Sequence, residues 1–454
     1  MRNRTIDTVT EESVLMISIF KWIILASIIG ALVGMSTSFF LTLLDFSTKS
    51  ISNIPYYYLC LPAILAITTF LTLKFAPDSA GHGTEKVIKS IHQHNGNMRL
   101  RIVPIKIITT ILTITFGGSV GKEGPSAQIG AALAAAFSRL FKFNSQDRKM
   151  LVICGLSAGF SAVFGTPIAG AIFGVEVLFM GNLMYSVLLP SFIAGIVGFQ
   201  VAQTFGIEHH TYFMTMPQIF DLKLFLITVG AGLFFGLVSV LFIELNTYIE
   251  QVLKSIKCSP ILKALGGGLL IVCVAIFIST DYLGLGLANI DLMLSGESII
   301  WYAFLLKIIL TAVTLASGGS GGVITPLFFV GSAAGILFAD ILGVDKSIFA
   351  ALGLVSVLGG AANTPLAACV LSIELFGSGI APYATVACVV SFLMTGYRSI
   401  FPSQVLSSSK TQSIRFNQGQ EIEHYKTQYN YKTRKIMASG RHIAKKIIKH
   451  STHK

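Results

Sequence analysis

Charge is scarce in this chain. Asp, Glu, Lys and Arg together make up 12% of its 454 residues, about half the share in an ordinary soluble domain. With 53% apolar residues and a mean hydropathy of +0.75, so little charge excludes a typical water-soluble enzyme and places the chain in lipid. Cysteine is rare as well. Cys60, Cys154, Cys258, Cys273, Cys369 and Cys388 are dispersed, mostly inside apolar runs and without C-x-x-C spacing, so neither a disulfide framework nor a thiolate metal site follows. No H-E-x-x-H, no G-x-S-x-G and no cluster of metal ligands is present, so no enzymatic centre, metal or cofactor is expected. The period-two alternation of a membrane β-barrel is also missing.

What the chain does have is a series of apolar runs, among them 22–44, 57–73, 185–201, 224–242, 264–278 and 381–394. The longer ones match the roughly 20 residues a helix needs to cross the hydrocarbon core. The 43 glycines and several prolines interrupt many of them, which predicts an all-α integral membrane protein of tilted, broken helices instead of a simple bundle. Arg2, Arg4, Asp7, Glu11 and Glu12 precede a run with no small-residue cleavage site, so the first helix is expected to be retained. From Thr411 to Lys454, ten Lys and Arg face only Glu421 and Glu423, and this basic tail holds most of the net charge of +12. The expected plan is a cytoplasmic N-terminus over 1–13, a membrane domain over 14–408 and a cytoplasmic tail over 409–454 with no regulatory domain. The tail is read as a solvated segment touching anionic lipid heads, not as a nucleic-acid-binding arm.

The membrane domain repeats itself. Thr166-Pro-Ile-Ala-Gly-Ala-Ile-Phe-Gly-Val-Glu-Val177 is echoed by Thr364-Pro-Leu-Ala-Ala-Cys-Val-Leu-Ser-Ile-Glu-Leu375 at an offset of 198. Upstream, Gly117-Gly-Ser-Val-Gly-Lys-Glu-Gly-Pro125 is echoed by Gly318-Gly-Ser-Gly-Gly-Val-Ile-Thr-Pro326 at an offset of 201. Two motifs in one order at nearly one offset imply duplicated halves, roughly 14–206 and 222–400, with a site where interrupted helices meet. Similarity alone leaves open whether the halves are parallel or inverted.

Each Gly-rich loop leads to a proline suited to a first helical turn, Pro125 or Pro326. Such a start leaves several backbone N–H groups unpaired at the positive end of the helix, and in lipid they suit a desolvated anion. Partial charges in place of Lys or Arg keep the binding weak enough for release. A third loop, Ser79-Ala-Gly-His-Gly-Thr84, has the same character in weaker form. Glu123, inside the first loop, is the ionisable group that stands out. Its carboxylate would compete with an anion for the same donors until protonated, which makes it both a gate and a proton carrier; an ion pair with Lys122 is the structural alternative. Glu176 and Glu374, at matching repeat positions, read as helix-end structural residues.

These residues resemble the CLC family of chloride channels and proton/chloride antiporters. Gly121-Lys-Glu-Gly-Pro125 is similar to its G-[KR]-E-G-P loop and Gly321-Gly-Val-Ile-Thr-Pro326 to its G-x-F-x-P loop. The resemblance implies two inverted repeats of broken helices and a homodimer with one pore per subunit, multi-pass in the cell membrane with both termini cytoplasmic. It implies Glu123 as the gating glutamate and proton acceptor, with the amides of Lys122, Glu123 and Gly124 lining an outer anion site. Val323, Ile324 and Thr325 would hold a central anion, and Gly81, His82 and Gly83 an inner loop.

Three departures stand out. His82 replaces the serine whose hydroxyl touches the central anion, and can either donate an imidazole N–H or turn away as a helix cap. Phe401 replaces a tyrosine that reaches the same anion. Val177 stands at the inner proton-transfer glutamate, beside Glu176, which could serve as a substitute in a proton pathway. The expected function is transport of chloride or a similar halide, as a passive channel or in exchange for protons. A fluoride/proton antiporter of the same superfamily is the alternative, with the intact Glu123-Gly124-Pro125 favouring chloride. A sodium-coupled solute transporter is a distant third.

Overall fold

The computed structural model describes residues 2–209, 211–212, 214, 220–415, 417–425 and 428–429; the basic segment 430–454 lies outside the described residues. Among the described residues, sixteen α-helices form two sets of eight. The first set is α1 (Arg2–Ser52), α2 (Leu61–Phe75), α3 (Gly83–Gln93), α4 (Ile102–Thr115), α5 (Glu123–Leu140), α6 (Ser145–Phe164), α7 (Pro167–Glu176) and α8 (Tyr185–Thr204). The second is α9 (Leu222–Ser255), α10 (Pro260–Phe277), α11 (Leu287–Leu294), α12 (Ala303–Ala316), α13 (Ile324–Leu342), α14 (Lys346–Ala362), α15 (Pro365–Phe376) and α16 (Ala381–Thr395). Seven described helices are long and apolar enough to cross a membrane, and several others are shorter, as broken spans require. Helix α1 runs without a break across the boundary expected at residue 13.

Local chemistry sets the helix ends. Asn144 caps α6 by accepting the Asp147 N–H at 2.8 Å, and Asp345 caps α14 by accepting that of Ile348 at 2.8 Å. Gly165, Gly343 and Asn363 close α6, α13 and α14 in the left-handed conformation. Where α5 crosses α6 and α13 crosses α14, the backbones touch. A Cβ on Gly130 would lie 2.3 Å from the Gly155 carbonyl oxygen, and one on Gly331 2.3 Å from that of Gly353. Such crossings take the place of the hydrophobic drive that helix association lacks in lipid.

The halves are inverted, and the hydrogen bonds show it directly. The Glu374 carboxylate at the end of α15 accepts the N–H groups of Ile168 and Ala169 at the start of α7, at 3.0 and 2.7 Å. The Glu176 carboxylate at the end of α7 accepts those of Leu366 and Ala367 at the start of α15, at 3.1 and 2.8 Å. Each helix caps the other only if the two lie side by side and antiparallel. The offset of 201 recurs at the centre, where Gly121 and its counterpart Gly322 exchange two backbone hydrogen bonds of 2.7 Å. The Ser119 N–H donates to Thr314 Oγ1 at 3.2 Å, and the Ser320 N–H to Thr113 Oγ1 at 3.1 Å. The Thr110 and Ser320 hydroxyls lie 2.9 Å apart, and their counterparts Thr311 and Ser119 3.3 Å apart. A local two-fold axis therefore passes between Gly121 and Gly322.

Past α16, the chain returns to the helices. Strand β1 (Phe179–Met180) pairs in parallel with β2 (Val405–Leu406), and the Gln404 side chain donates to the carbonyls of Val177 at 2.8 Å and Ala362 at 2.7 Å. Lys410 reaches back to Asn363 Oδ1 and the Phe392 carbonyl, both at 2.7 Å, so the start of the expected tail is packed against the membrane domain.

The reciprocal caps carry a prediction. Glu374→Ala and Glu176→Ala each leave two N–H groups without an acceptor, at a cost of about 1–3 kcal/mol each. Both variants should unfold at a lower temperature than the native chain in detergent, and an unshifted midpoint would show the caps to be dispensable.

Candidate anion site

Three helix N-termini converge beside the two-fold axis. Lys122 is the N-cap of α5, Val323 that of α13 and His82 that of α3. Their loops touch backbone to backbone: His82 bridges to Gly321, and Gly121 to Gly322. A Cβ on Gly83 would lie 2.2 Å from the Gly124 carbonyl oxygen, so only glycine lets α3 start this close to α5. Gly117 and Gly318, at φ of 97° and 102°, turn the chain out of α4 and α12 into the two central loops.

Glu123 lies at this meeting point, 3% exposed. Its carboxylate reaches across to the start of α13. The Thr325 hydroxyl lies 2.6 and 2.7 Å from its two oxygens and donates to it, and the Thr325 N–H donates at 3.2 Å. The bonds of Glu123 thus go to Thr325 and not to the neighbouring Lys122. An anionic group therefore sits on the unpaired amide end of a helix, where the aligned peptide dipoles favour it.

The other residues singled out in the sequence fall into two groups. Lys122, Gly124, Val323 and Ile324 flank the carboxylate along the α5 and α13 starts, with Gly81, His82 and Gly83 beside them in the third loop. The His82 side chain makes no cap bond to α3, and its buried Nδ1 has no hydrogen-bond partner among the described residues. The capping alternative for His82 is therefore not what the structure shows. Phe401 is fully buried, its N–H donating to Ser399 Oγ at 3.0 Å. Ser403, two residues on, donates its N–H to Glu85 in the first turn of α3 at 3.2 Å, and its hydroxyl to the same carboxylate. This bond ties the Phe401 loop to the third N-terminus. Glu176 belongs elsewhere, since both its oxygens cap α15. Val177 is fully buried, its carbonyl held by Gln404, and the adjacent Leu178 carbonyl lies 3.0 Å from His92 Nε2.

The structure adds residues that sequence reasoning passed over. Lys106 is fully buried in α4 and donates to the carbonyls of Ser79 and Gly81, each at 3.0 Å, locking the third loop. Lys307, at an offset of 201, does the same in α12, donating to Tyr282 at 3.1 Å and Gly284 at 2.9 Å. A lysine at matching positions in two apolar runs was the available signal. A cavity of about 210 Å³, lined in part by Ser79, Gly81, Gly318, Ser320 and Lys263, borders the loops from outside.

Known proteins share this fold. The family of voltage gated chloride channels matches residues 63–396, and the chain belongs to it. A chloride/fluoride channel protein of Pseudomonas syringae pv. tomato is 37% identical over 86% of this chain and 88% of its own length. The crystal structure of a CLC-type fluoride/proton antiporter superposes with a TM-score of 0.81 at 30% identity, covering 86% of this chain and 98% of that one. A slow cyanobacterial Cl⁻/H⁺ antiporter, at 18% identity and a TM-score of 0.73 over 84% and 96% of the two chains, shares the fold. The chain is a multi-pass membrane protein of the CLC type that transports small inorganic anions.

Lys106 generates a prediction. Lys106→Met, which removes both bonds to the third loop, should weaken halide binding in calorimetric titration, and unchanged affinity would show that these bonds do not shape the site.

Proposed function

We propose that the chain exchanges a small halide, fluoride in preference to chloride, against protons, with Glu123 as both gate and proton acceptor. The observation that carries this reading is the Glu123 carboxylate on the amide and hydroxyl of Thr325. A carboxylate and a halide need the same donors, so the halide enters this position only when the carboxylate leaves it. Protonation removes the charge that holds the carboxylate there and lets the halide take its place. One group thereby links proton uptake to anion passage.

The preference for fluoride rests on the donors. Fluoride is small and strongly hydrated, so an exchange site must replace its water with close, strong donors. Thr325 offers a hydroxyl and an amide, with the amides of Val323, Ile324, Lys122, Glu123 and Gly124 beside them. The groups that would touch a central chloride in the resembling family, a serine and a tyrosine hydroxyl, are here His82 and Phe401. The fluoride named for the Pseudomonas relative and for the antiporter structure supports the same choice. The intact Glu123-Gly124-Pro125 loop favours chloride as the second reading.

Glu176 has no part in this reading, since its oxygens are committed to α15. A homodimer with one pore per subunit and cytoplasmic termini completes it, on the family resemblance and on the charge of the basic tail. The lipid bilayer, the halide and the proton are the partners it requires, and no metal or organic cofactor enters.

The test is ion flux from liposomes holding the full chain, with a halide-selective electrode and internal pH followed together. Fluoride efflux at least tenfold faster than chloride, with protons driven uphill by the fluoride gradient, is expected. Glu123→Gln, which cannot change charge, should abolish the coupled proton movement. Chloride flux equal to or above fluoride would favour the second reading, and halide flux without protons in the native chain would exclude exchange.

A further inference from the structure

Proton exchange at Glu123 requires a way in from the far side of the protein, and the inference below rests on that exchange reading. Val177 stands where the resembling antiporters carry a glutamate, is fully buried, and is closed over by Gln404 and the β1–β2 pair. A different element spans the same distance. Helix α3 begins against Gly124, next to Glu123. At its last residue, Gln93 Nε2 donates to both oxygens of Glu421 in the C-terminal segment, at 2.9 and 3.1 Å. Eleven residues at about 1.5 Å each give a length of about 16 Å between the anion site and the face that bears the tail.

One side of α3 is apolar and buried, with Val87, Ile88 and Ile91 in the core. The other, half-buried side carries His82, Glu85, Lys86, Lys89 and His92. Glu85 lies in the first turn of α3, three residues on from His82, the extended N-cap of that helix. The imidazole has its Nδ1 buried without a partner among the described residues, at the loop that bridges to Gly321. The charged groups acting on His82 are Lys86 on its own helix, Lys106 on α4 and Glu250 on α9. Those acting on Glu85 are Lys86 and Lys89, with Ser403 as its hydrogen-bond donor from the returning chain.

We propose that Glu85 and His82 carry the proton between the tail-bearing face and Glu123. A solvent proton binds the Glu85 carboxylate and passes to one ring nitrogen of His82. The ring then gives up the proton on its other nitrogen to the Glu123 carboxylate. The balance is one proton moved, with Glu85 again a carboxylate and His82 again neutral. Glu123, now uncharged, leaves the Thr325 amide to the halide. The two-nitrogen ring is the reason histidine serves at position 82, where serine could not accept a proton in this way.

A merely structural Glu85 would anchor Ser403 and nothing more, so the readout is a ratio. Full-length protein in liposomes with a potassium fluoride gradient is followed by fluoride electrode and internal pH at once. In Glu85→Gln, protons moved per fluoride should fall tenfold or more. Ser403→Ala, which removes the anchoring hydroxyl and keeps the carboxylate, should hold the native ratio. An unaltered ratio in Glu85→Gln overturns the route. So does an equal fall in Ser403→Ala, or a Glu85→Gln protein that passes neither ion. A native chain that passes fluoride without protons overturns the exchange reading itself, and the route with it.

Discussion

Two backbone hydrogen bonds between Gly121 and Gly322 hold the centre of this protein together. Both residues lie in Gly-rich loops that leave α4 and α12 and enter α5 and α13, so pairing them brings two helix N-termini face to face at mid-protein. The flanking bonds among Thr110, Thr113, Ser119, Thr311, Thr314 and Ser320 pair the Ser119 and Ser320 N–H groups and several hydroxyls that lipid could not. A side chain at this junction would push the loops apart. A Cβ on Gly321 already meets Val120 at 2.3 Å.

From that constraint the chemistry follows. Unpaired amides at the start of a helix carry partial positive charge, and no lysine or arginine is needed to attract an anion. Glu123 on Thr325 shows what such a position accepts. Inversion matters here as well, because antiparallel halves aim corresponding helix starts at one another. Parallel halves would aim them the same way. The reciprocal Glu176 and Glu374 caps apply the same physics to a structural end, each carboxylate accepting two N–H groups of the opposite half.

Much of this was legible in the sequence. The two echoed motifs located the halves, and the glycine loops ending at Pro125 and Pro326 marked the helix starts that meet at the site. Glu123 stood out because a carboxylate inside an apolar, glycine-rich loop has few explanations. Inversion followed only from the family resemblance, since the internal similarity carries no direction; the α7–α15 caps supply one. Lys106 and Lys307 were missed because a lysine in an apolar run resembles a residue reaching for the membrane surface, and only the fold shows the loop carbonyls it meets. The Thr and Ser crossbonds were hidden among residues common in any membrane helix. The contact of Glu85 with Ser403 joins residues more than three hundred positions apart, and no local pattern announces it.

The central claim is that Glu123 and the transported halide compete for one set of donors. Calorimetric titration of fluoride into the purified protein across a range of pH, for the native chain and Glu123→Gln, tests it most directly. Competition predicts affinity that rises as pH falls in the native chain, and tight, pH-independent binding in the variant, whose neutral side chain yields the amides at every pH. Native affinity that stays constant with pH, or a variant that binds more weakly than the native chain at high pH, would contradict it.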